Sequence, residues 1–187
     1  MPKTKAIITI QNVVATATIN QRVDLNAVVK SYPGVEYRPD RFPGLVLRLK
    51  GPKTATLIFS TGKMVCTGAK SEKESRRAIM KVVKELKKDG IIIIVSKPDL
   101  KVVNIVASAS LGGKVDLEKT VSTLRKTMYE PEQFPGLVYR MDEPKVVMLI
   151  FASGSLVCTG AKKEQDVYDA VHKLHGILEE QNLIFYE

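Results

Sequence analysis

Val65-Cys66-Thr67-Gly68-Ala69-Lys70 is spelled again, residue for residue, as Val157-Cys158-Thr159-Gly160-Ala161-Lys162. Phe42-Pro43-Gly44-Leu45-Val46 returns in the same way as Phe134-Pro135-Gly136-Leu137-Val138, at the same offset of 92 positions. Outward from these two strings, residues 12–70 align with residues 104–162 without a gap, and 28 of the 59 pairs are identical. Two copies of this length are too few and too large for a solenoid, whose units run to a few dozen residues. The repetition points to one pseudo-two-fold molecule that shows the same surface twice. Residues 1–97 carry the first structural repeat and residues 98–187 the second. Such a surface suits a partner with an approximate dyad of its own, as duplex DNA has.

Each repeat reads as strand, short helix, several strands, long helix. Residues 7–18 are rich in β-branched side chains and end at Asn20-Gln21, a strand pattern. Asp24 can N-cap a short helix over residues 25–31 before Pro33-Gly34 breaks the chain. Strands follow at about 45–49, 54–59 and 64–67, separated by Gly51-Pro52 and Thr61-Gly62. Connections this short imply antiparallel pairing. Ser71 with Glu74 forms a capping-box pattern for a long helix, in which Ala78, Ile79, Val82, Val83 and Leu86 share a face. Gly90, and Asn182 in the second copy, suit the left-handed position that ends such a helix. The second long helix runs from about 164 to 181, with Lys163 in place of the capping serine. Residues 91–95 and 183–186 close the repeats as strands, and residues 96–99 are a linker too short for two roaming domains. The expected class is α+β, a continuous antiparallel sheet of about ten strands with helices on one face.

Composition bounds the function. The chain has 187 residues, 44% of them hydrophobic and 26% charged, which is ordinary for a globular protein. Residues 146–152 form the longest apolar run, far too short to cross a bilayer, and the first ten residues lack a signal-peptide layout, so an intracellular protein is expected. Cys66 and Cys158 occupy equivalent strand positions and read as buried thiols rather than a disulfide or metal pair. The net charge of +9 suggests a polyanion. Residues 1–97 hold 19 Lys/Arg against 7 Asp/Glu, a balance of +12, whereas residues 98–187 hold 10 against 13, a balance of −3. The basic half fits DNA, and the mildly acidic half fits a second, basic protein.

Strand alternation assigns the faces. Met64 and Cys66 fall on one face, and Lys63, Val65 and Thr67 on the other; Asn12, Val14 and Thr16 share a face, as do Leu57 and Phe59. With the helices on the first face, the second is left apolar and uncovered, the mark of a binding surface. There is no Trp, and four of the five Phe form matched pairs, Phe42/Phe134 and Phe59/Phe151. Apolar wedges beside such a sheet suit insertion between base steps of a widened minor groove. The minor groove offers chiefly acceptors, so few polar readers are needed. Asn12, Asn104, Thr67 and Thr159 suffice, and Arg48 and Arg140 stand where they can reach phosphates.

On these residues the chain resembles the TATA-box-binding protein family, of the short archaeal type. Gln11-Asn12-Val13-Val14-Ala15-Thr16, Arg41-Phe42-Pro43-Gly44-Leu45, the stretch from Leu57 to Val65 and the stretch from Tyr129 to Leu137 carry the likeness, which extends from about Ile7 to Tyr186. The resemblance implies a pseudo-two-fold saddle, a curved ten-stranded antiparallel sheet with four helices on its convex face. It implies a transcription initiation factor that binds and bends the TATA box through the minor groove. This family is itself the standard illustration of that mode, so wedge and bend come from the resemblance. The implied intercalating residues are Phe42, Phe59, Phe134 and Phe151. The implied base and groove contacts are Asn12, Val14, Leu57, Val65, Thr67, Asn104, Val106, Leu149, Val157 and Thr159. Arg48, Lys63 and Arg140 fall at phosphate positions, with Ser155 where the second copy would place a lysine. Glu130 and Glu132 fall where the family docks transcription factor B, and RNA polymerase is an indirect partner. The implied setting is the archaeal cytoplasm, on the nucleoid.

Other features point less far. Arg76, Arg77, Lys81, Lys84, Lys87 and Lys88 line the outer face of the first long helix, a solvated face by default. His172 and His175 stand three apart with no converging Cys or Asp, so no metal site is expected. No nucleophile–base pair, phosphate loop or carboxylate dyad is present; neither an enzyme nor a cofactor is expected. The rival reading is a pseudo-symmetric protein-interaction module that uses the exposed sheet face as its dock.

Overall fold

The computed structural model describes residues 5–93 and 97–187. It contains strands β1 (Ile7–Thr18), β2 (Leu45–Lys50), β3 (Lys53–Ile58), β4 (Lys63–Ala69), β5 (Asp99–Ser110), β6 (Lys114–Val115), β7 (Thr127–Met128), β8 (Leu137–Met141), β9 (Val146–Ile150), β10 (Ser155–Ala161) and β11 (Ile184–Phe185). Its helices are α1 (Leu25–Ser31), α2 (Glu72–Lys88), α3 (Leu117–Thr123) and α4 (Glu164–Glu180). By compactness the chain forms one unit of Asn12–Val103 and another of Met1–Gln11 with Asn104–Glu187.

Hydrogen bonding orders nine strands as β2-β3-β4-β1-β5-β10-β9-β8-β7. The large antiparallel sheet and four helices are as expected, but the closing strand of the second repeat does not join that sheet. β11 pairs instead with β6, Ile184 opposite Val115. Val115 donates its N–H to Ala152 O, and Asp116 donates to Leu183 O, so backbone bonds between segments distant in sequence hold the chain end beside β6. In the first repeat, residues 91–93 form no strand, and residues 94–96 of the expected strand and linker lie outside the described residues. There the Gln21 side chain stands in for a ladder, donating to Ile91 O and accepting from Ile93 N.

The helix ends follow the local signals. Asp24 accepts from Asn26 N and Ala27 N, Asp116 from Lys119 N, and Ser71 from Glu74 N at 3.0 Å. Lys163 caps α4 without a side-chain bond. In one unit α2 packs on β3 and β4; in the other α4 packs on β10. Leu45, Ile58, Met64, Cys66, Ile79, Val82 and Leu86 fill the first core, all fully buried. Met148, Ile150, Leu156, Cys158, Val167, Val171 and Leu174 do the same in the second. Both thiols are free and buried, and burial pushes Cys158 up to about 11 and raises Cys66. Among the described residues no helix is long and apolar enough to cross a membrane, and no cluster of metal-ligating side chains occurs.

Candidate nucleic-acid interface

Cross-strand register builds a row of half-buried side chains in each unit. In the first, Val46 faces Leu57, Leu57 faces Val65, and Val65 faces Thr16. In the second, Val138, Leu149, Val157 and Ser108 stand in the same sequence. A parallel row runs Arg48, Ala55, Thr67, and its counterpart runs Arg140, Val147, Thr159, Val106. Val14 shares the parity of Asn12 and Thr16 and is likewise half-buried. The residues between these, such as Val13, Ala15, Met64 and Cys66, are fully buried. Alternation therefore separates a helix-covered face from an apolar, partly exposed one, and every groove residue expected from sequence lies on the latter. Val46, Val138, Ala55 and Val147 belong to the same rows and were not singled out by sequence. Hairpin register would have found them, since Val46 shares the parity of Arg48.

Asn12 and Asn104 sit at matched irregularities. The β1–β4 register slips between Val13 and Ala15, and the β10–β5 register between Thr159 and Ala161. Gly68 and Gly160 stand at these slips with φ of 100° and 99°, a conformation that side chains with a Cβ rarely adopt. Each turns its N–H towards the asparagine: Gly68 N donates to Asn12 Oδ1, and Gly160 N to Asn104 Oδ1, both at 2.7 Å. Asn12 Nδ2 donates to Thr67 Oγ1 at 3.0 Å, and Asn104 Nδ2 to Thr159 Oγ1 at 3.4 Å. The bulge thus fixes each amide with its oxygen turned to the backbone.

The phenylalanines matched between the repeats meet within each repeat. Phe42 and Phe59 meet edge to face with centroids 5.8 Å apart, and Phe134 and Phe151 at 5.9 Å. Phe42 is 43% exposed and Phe134 42%. The glycine of Phe-Pro-Gly is what admits them: a Cβ on Gly44 would lie 2.8 Å from the Phe42 ring and 3.0 Å from Phe59, and Gly136 repeats these distances. The turns share one scaffold, with Phe42 N bonded to Arg38 O and Phe134 N to Glu130 O. The charge differs: exposed Glu130 stands where the first copy has Arg38 and Gln133 where it has Arg41, while Glu132 keeps the charge of Asp40.

The cations are exposed. Arg48 meets Glu36 at 3.4 Å with both side chains about three-fifths exposed, a pair of little energetic weight and easily given up. Arg140 has Met128 in place of Glu36, while nearby Asp142 is held by Lys126 at 2.6 Å, which lowers its carboxyl. Lys63 opens β4 opposite Thr18, and Ser155 opens β10 opposite Ser110. The two histidines are not brought together as a site: His172 is exposed, whereas His175 is fully buried and bonded to the Tyr186 hydroxyl at 2.7 Å.

The family model described as "Transcription factor TFIID (or TATA-binding protein, TBP)" matches residues 7–88 and 99–181, one match per repeat. The chain belongs to the TATA-box-binding protein family. Members of this family are transcription factors and not enzymes. Among similar family members, the TATA-box-binding protein of Sulfolobus acidocaldarius is 52% identical over 180 residues, covering 96% of this chain and 91% of that one. That of Pyrodictium occultum is 53% identical over 175 residues, covering 94% and 87%. The solved structure of the Methanococcus jannaschii family member superposes with a TM-score of 0.84 at 49% identity, covering 92% of this chain and 98% of that one.

Proposed function

We propose that the chain initiates transcription by binding the TATA box through the minor groove, bending it and nucleating the preinitiation complex on archaeal nucleoid DNA. The observation that carries this reading is the matched pair of Phe clusters beside matched half-buried apolar rows, each with a bulge-fixed asparagine. Residues 1–97 and 98–187 then act as like half-sites. Val14, Leu57, Val65 and their counterparts Val106, Leu149 and Val157 line the groove; apolar contact suits a base-pair edge that offers few donors. Asn12 and Asn104 have Oδ1 occupied by backbone, so Nδ2 is the end left to donate to base acceptors, supported by Thr67 and Thr159. Phe42, Phe59, Phe134 and Phe151 unstack the flanking steps. Arg48, Lys63 and Arg140 neutralise phosphates. Glu130 and Glu132 receive transcription factor B, through which RNA polymerase joins.

The protein-interaction alternative predicts none of this DNA chemistry. Fluorescence anisotropy with a TATA duplex and a G·C-rich duplex, over a salt series, separates the two. The proposal expects binding that favours the TATA duplex and weakens linearly in log salt. Equal or absent binding to both duplexes rejects it. Energy transfer between end labels on the same TATA duplex tests the bend.

A further inference from the structure

Ala55 and Val147 occupy equivalent places, and there the half-buried rows of the two repeats differ most in size. The other apolar members are matched pairwise: Val46 with Val138, Leu57 with Leu149, Val65 with Val157, Val14 with Val106. Ala55 stands between Arg48 and Thr67 across the strands, and Val147 stands between Arg140 and Thr159. Ala55 also lines a hollow of about 580 Å³, with Arg48, Lys53, Thr54, Thr67 and Gly68 among its walls. The Thr67 hydroxyl donates to Asn12 Oδ1 at 3.3 Å and accepts from Asn12 Nδ2 at 3.0 Å. A hydroxyl oxygen has two lone pairs, so one is left for a further donor.

An A·T pair shows only acceptors in the minor groove, whereas a G·C pair adds the guanine 2-amino group, a donor that projects from the groove floor. To tolerate it, a protein surface must supply room and an acceptor. The surface at Ala55 has both. At Val147 two further methyl groups take up that room beside Thr159. We infer that Ala55 and Val147 make the two repeats unequal readers: the half-site over Ala55 accepts a G·C pair at a step where the half-site over Val147 requires A·T. This rests on the minor-groove reading above. It gives the bare protein a polarity on any box with a single G·C pair, while an all-A·T box leaves both directions equal.

The test uses the whole 187-residue chain and four kinds of duplex: an all-A·T box, boxes with one G·C pair scanned through one half, boxes with the G·C pair placed symmetrically in both halves, and a G·C-rich duplex. At the sensitive step the wild type binds the singly substituted box nearly as well as the all-A·T box, because it can turn Ala55 towards the change. It loses about tenfold on the doubly substituted box, the order of one mismatched pair. Ala55→Val extends that loss to the singly substituted box, and Val147→Ala restores binding to the doubly substituted one. An unchanged wild-type pattern in both variants overturns the inference. Should Ala55→Val itself disturb binding to the all-A·T box, Val147→Ala decides alone, since no gain on the doubly substituted box also overturns it. A wild type with no preference for the all-A·T box over a G·C-rich duplex is the distinct result that removes the DNA reading beneath it.

Discussion

Gly44 and Gly136 show how a single missing Cβ shapes the candidate site. With 2.8 Å to the ring of Phe42, a methyl group on Gly44 forces that ring off its edge-to-face contact with Phe59. Phe42 is 43% exposed and can swing outward, so the fold survives. Gly44→Ala is expected to cost about 1 kcal/mol of stability, at the low end for overpacking, and to reduce bending of a TATA duplex. Thermal melting and end-label energy transfer check the two halves; unchanged bending means the ring geometry is irrelevant to the DNA. Asn12 and Asn104 invite a second separation. Each oxygen satisfies a bulge glycine N–H at 2.7 Å, so Asn12→Ala with Asn104→Ala leaves two backbone donors without that partner. A cost of about 1 kcal/mol per site follows. Independently, TATA affinity should fall more than G·C affinity, because the proposed role of the lost Nδ2 groups is to donate to base acceptors. Equal losses on the two duplexes, measured by anisotropy on protein shown to be folded, would mean these amides hold the bulge and read nothing.

α4 differs from α2 in ways that reach the titration of the second repeat. Where α2 has Val83, α4 has His175, fully buried, with Nε2 bonded to Tyr186 and its Nδ1 without a hydrogen-bond partner. Tyr186 in turn donates to Glu179, so helix and chain end share one polar network. Burial lowers His175 below its ordinary value of 6.5, against a raising effect from Glu179, and His172 adds to the lowering. A base with a depressed folded pKa gives up stability on acidification: its contribution is complete above 6.5 and is lost as pH falls through the folded pKa. Wild-type melting temperature should therefore drop below pH 6.5, and His175→Val, which copies the first repeat, should flatten that drop. Parallel curves for the two proteins would clear His175 of the effect. The same element scale shows what was readable. β1 spans Ile7–Thr18 and α1 spans Leu25–Ser31 as their β-branched pattern and Asp24 cap indicate, because both signals are local. The two-residue strands β6 and β7 carry no periodicity to read. The pairing of β11 with β6 depends on backbone bonds between segments some 70 residues apart, from Asp116 and Val115 outward. The candidate site was legible to the extent that it was duplicated. The Phe pairs and asparagines announced themselves twice, whereas the asparagine–glycine bond and the place of Ala55 needed the register.

At the scale of the whole chain, duplication and charge pull apart. The apolar rows, bulges and Phe pairs are alike in the two repeats, while the halves carry +12 and −3. On the proposed half-site reading, DNA presents like phosphates to both halves, and a charge difference of this size fits a second, proposed partner. The sharpest local expression of it is the turn before Phe134. Its backbone matches the first copy bond for bond, Glu130 O receiving Phe134 N as Arg38 O receives Phe42 N, yet its side chains are Glu130 and Glu132 in place of Arg38 and Asp40. A conserved frame with altered charge is what a docking site for a basic protein needs, because electrostatic complementarity sets partner choice. Transcription factor B is the proposed occupant. Glu130→Arg with Glu132→Arg leaves the carbonyl bonds and Phe134 in place, so binary binding to the TATA duplex should persist and even tighten slightly at low salt. The ternary complex should fall by at least about tenfold, as expected for like charges brought together, and gel shifts with and without transcription factor B read both quantities on one DNA. A ternary complex that forms normally with the double variant would move the docking site elsewhere. Loss of the binary complex would instead place these two carboxylates on the DNA side of the molecule.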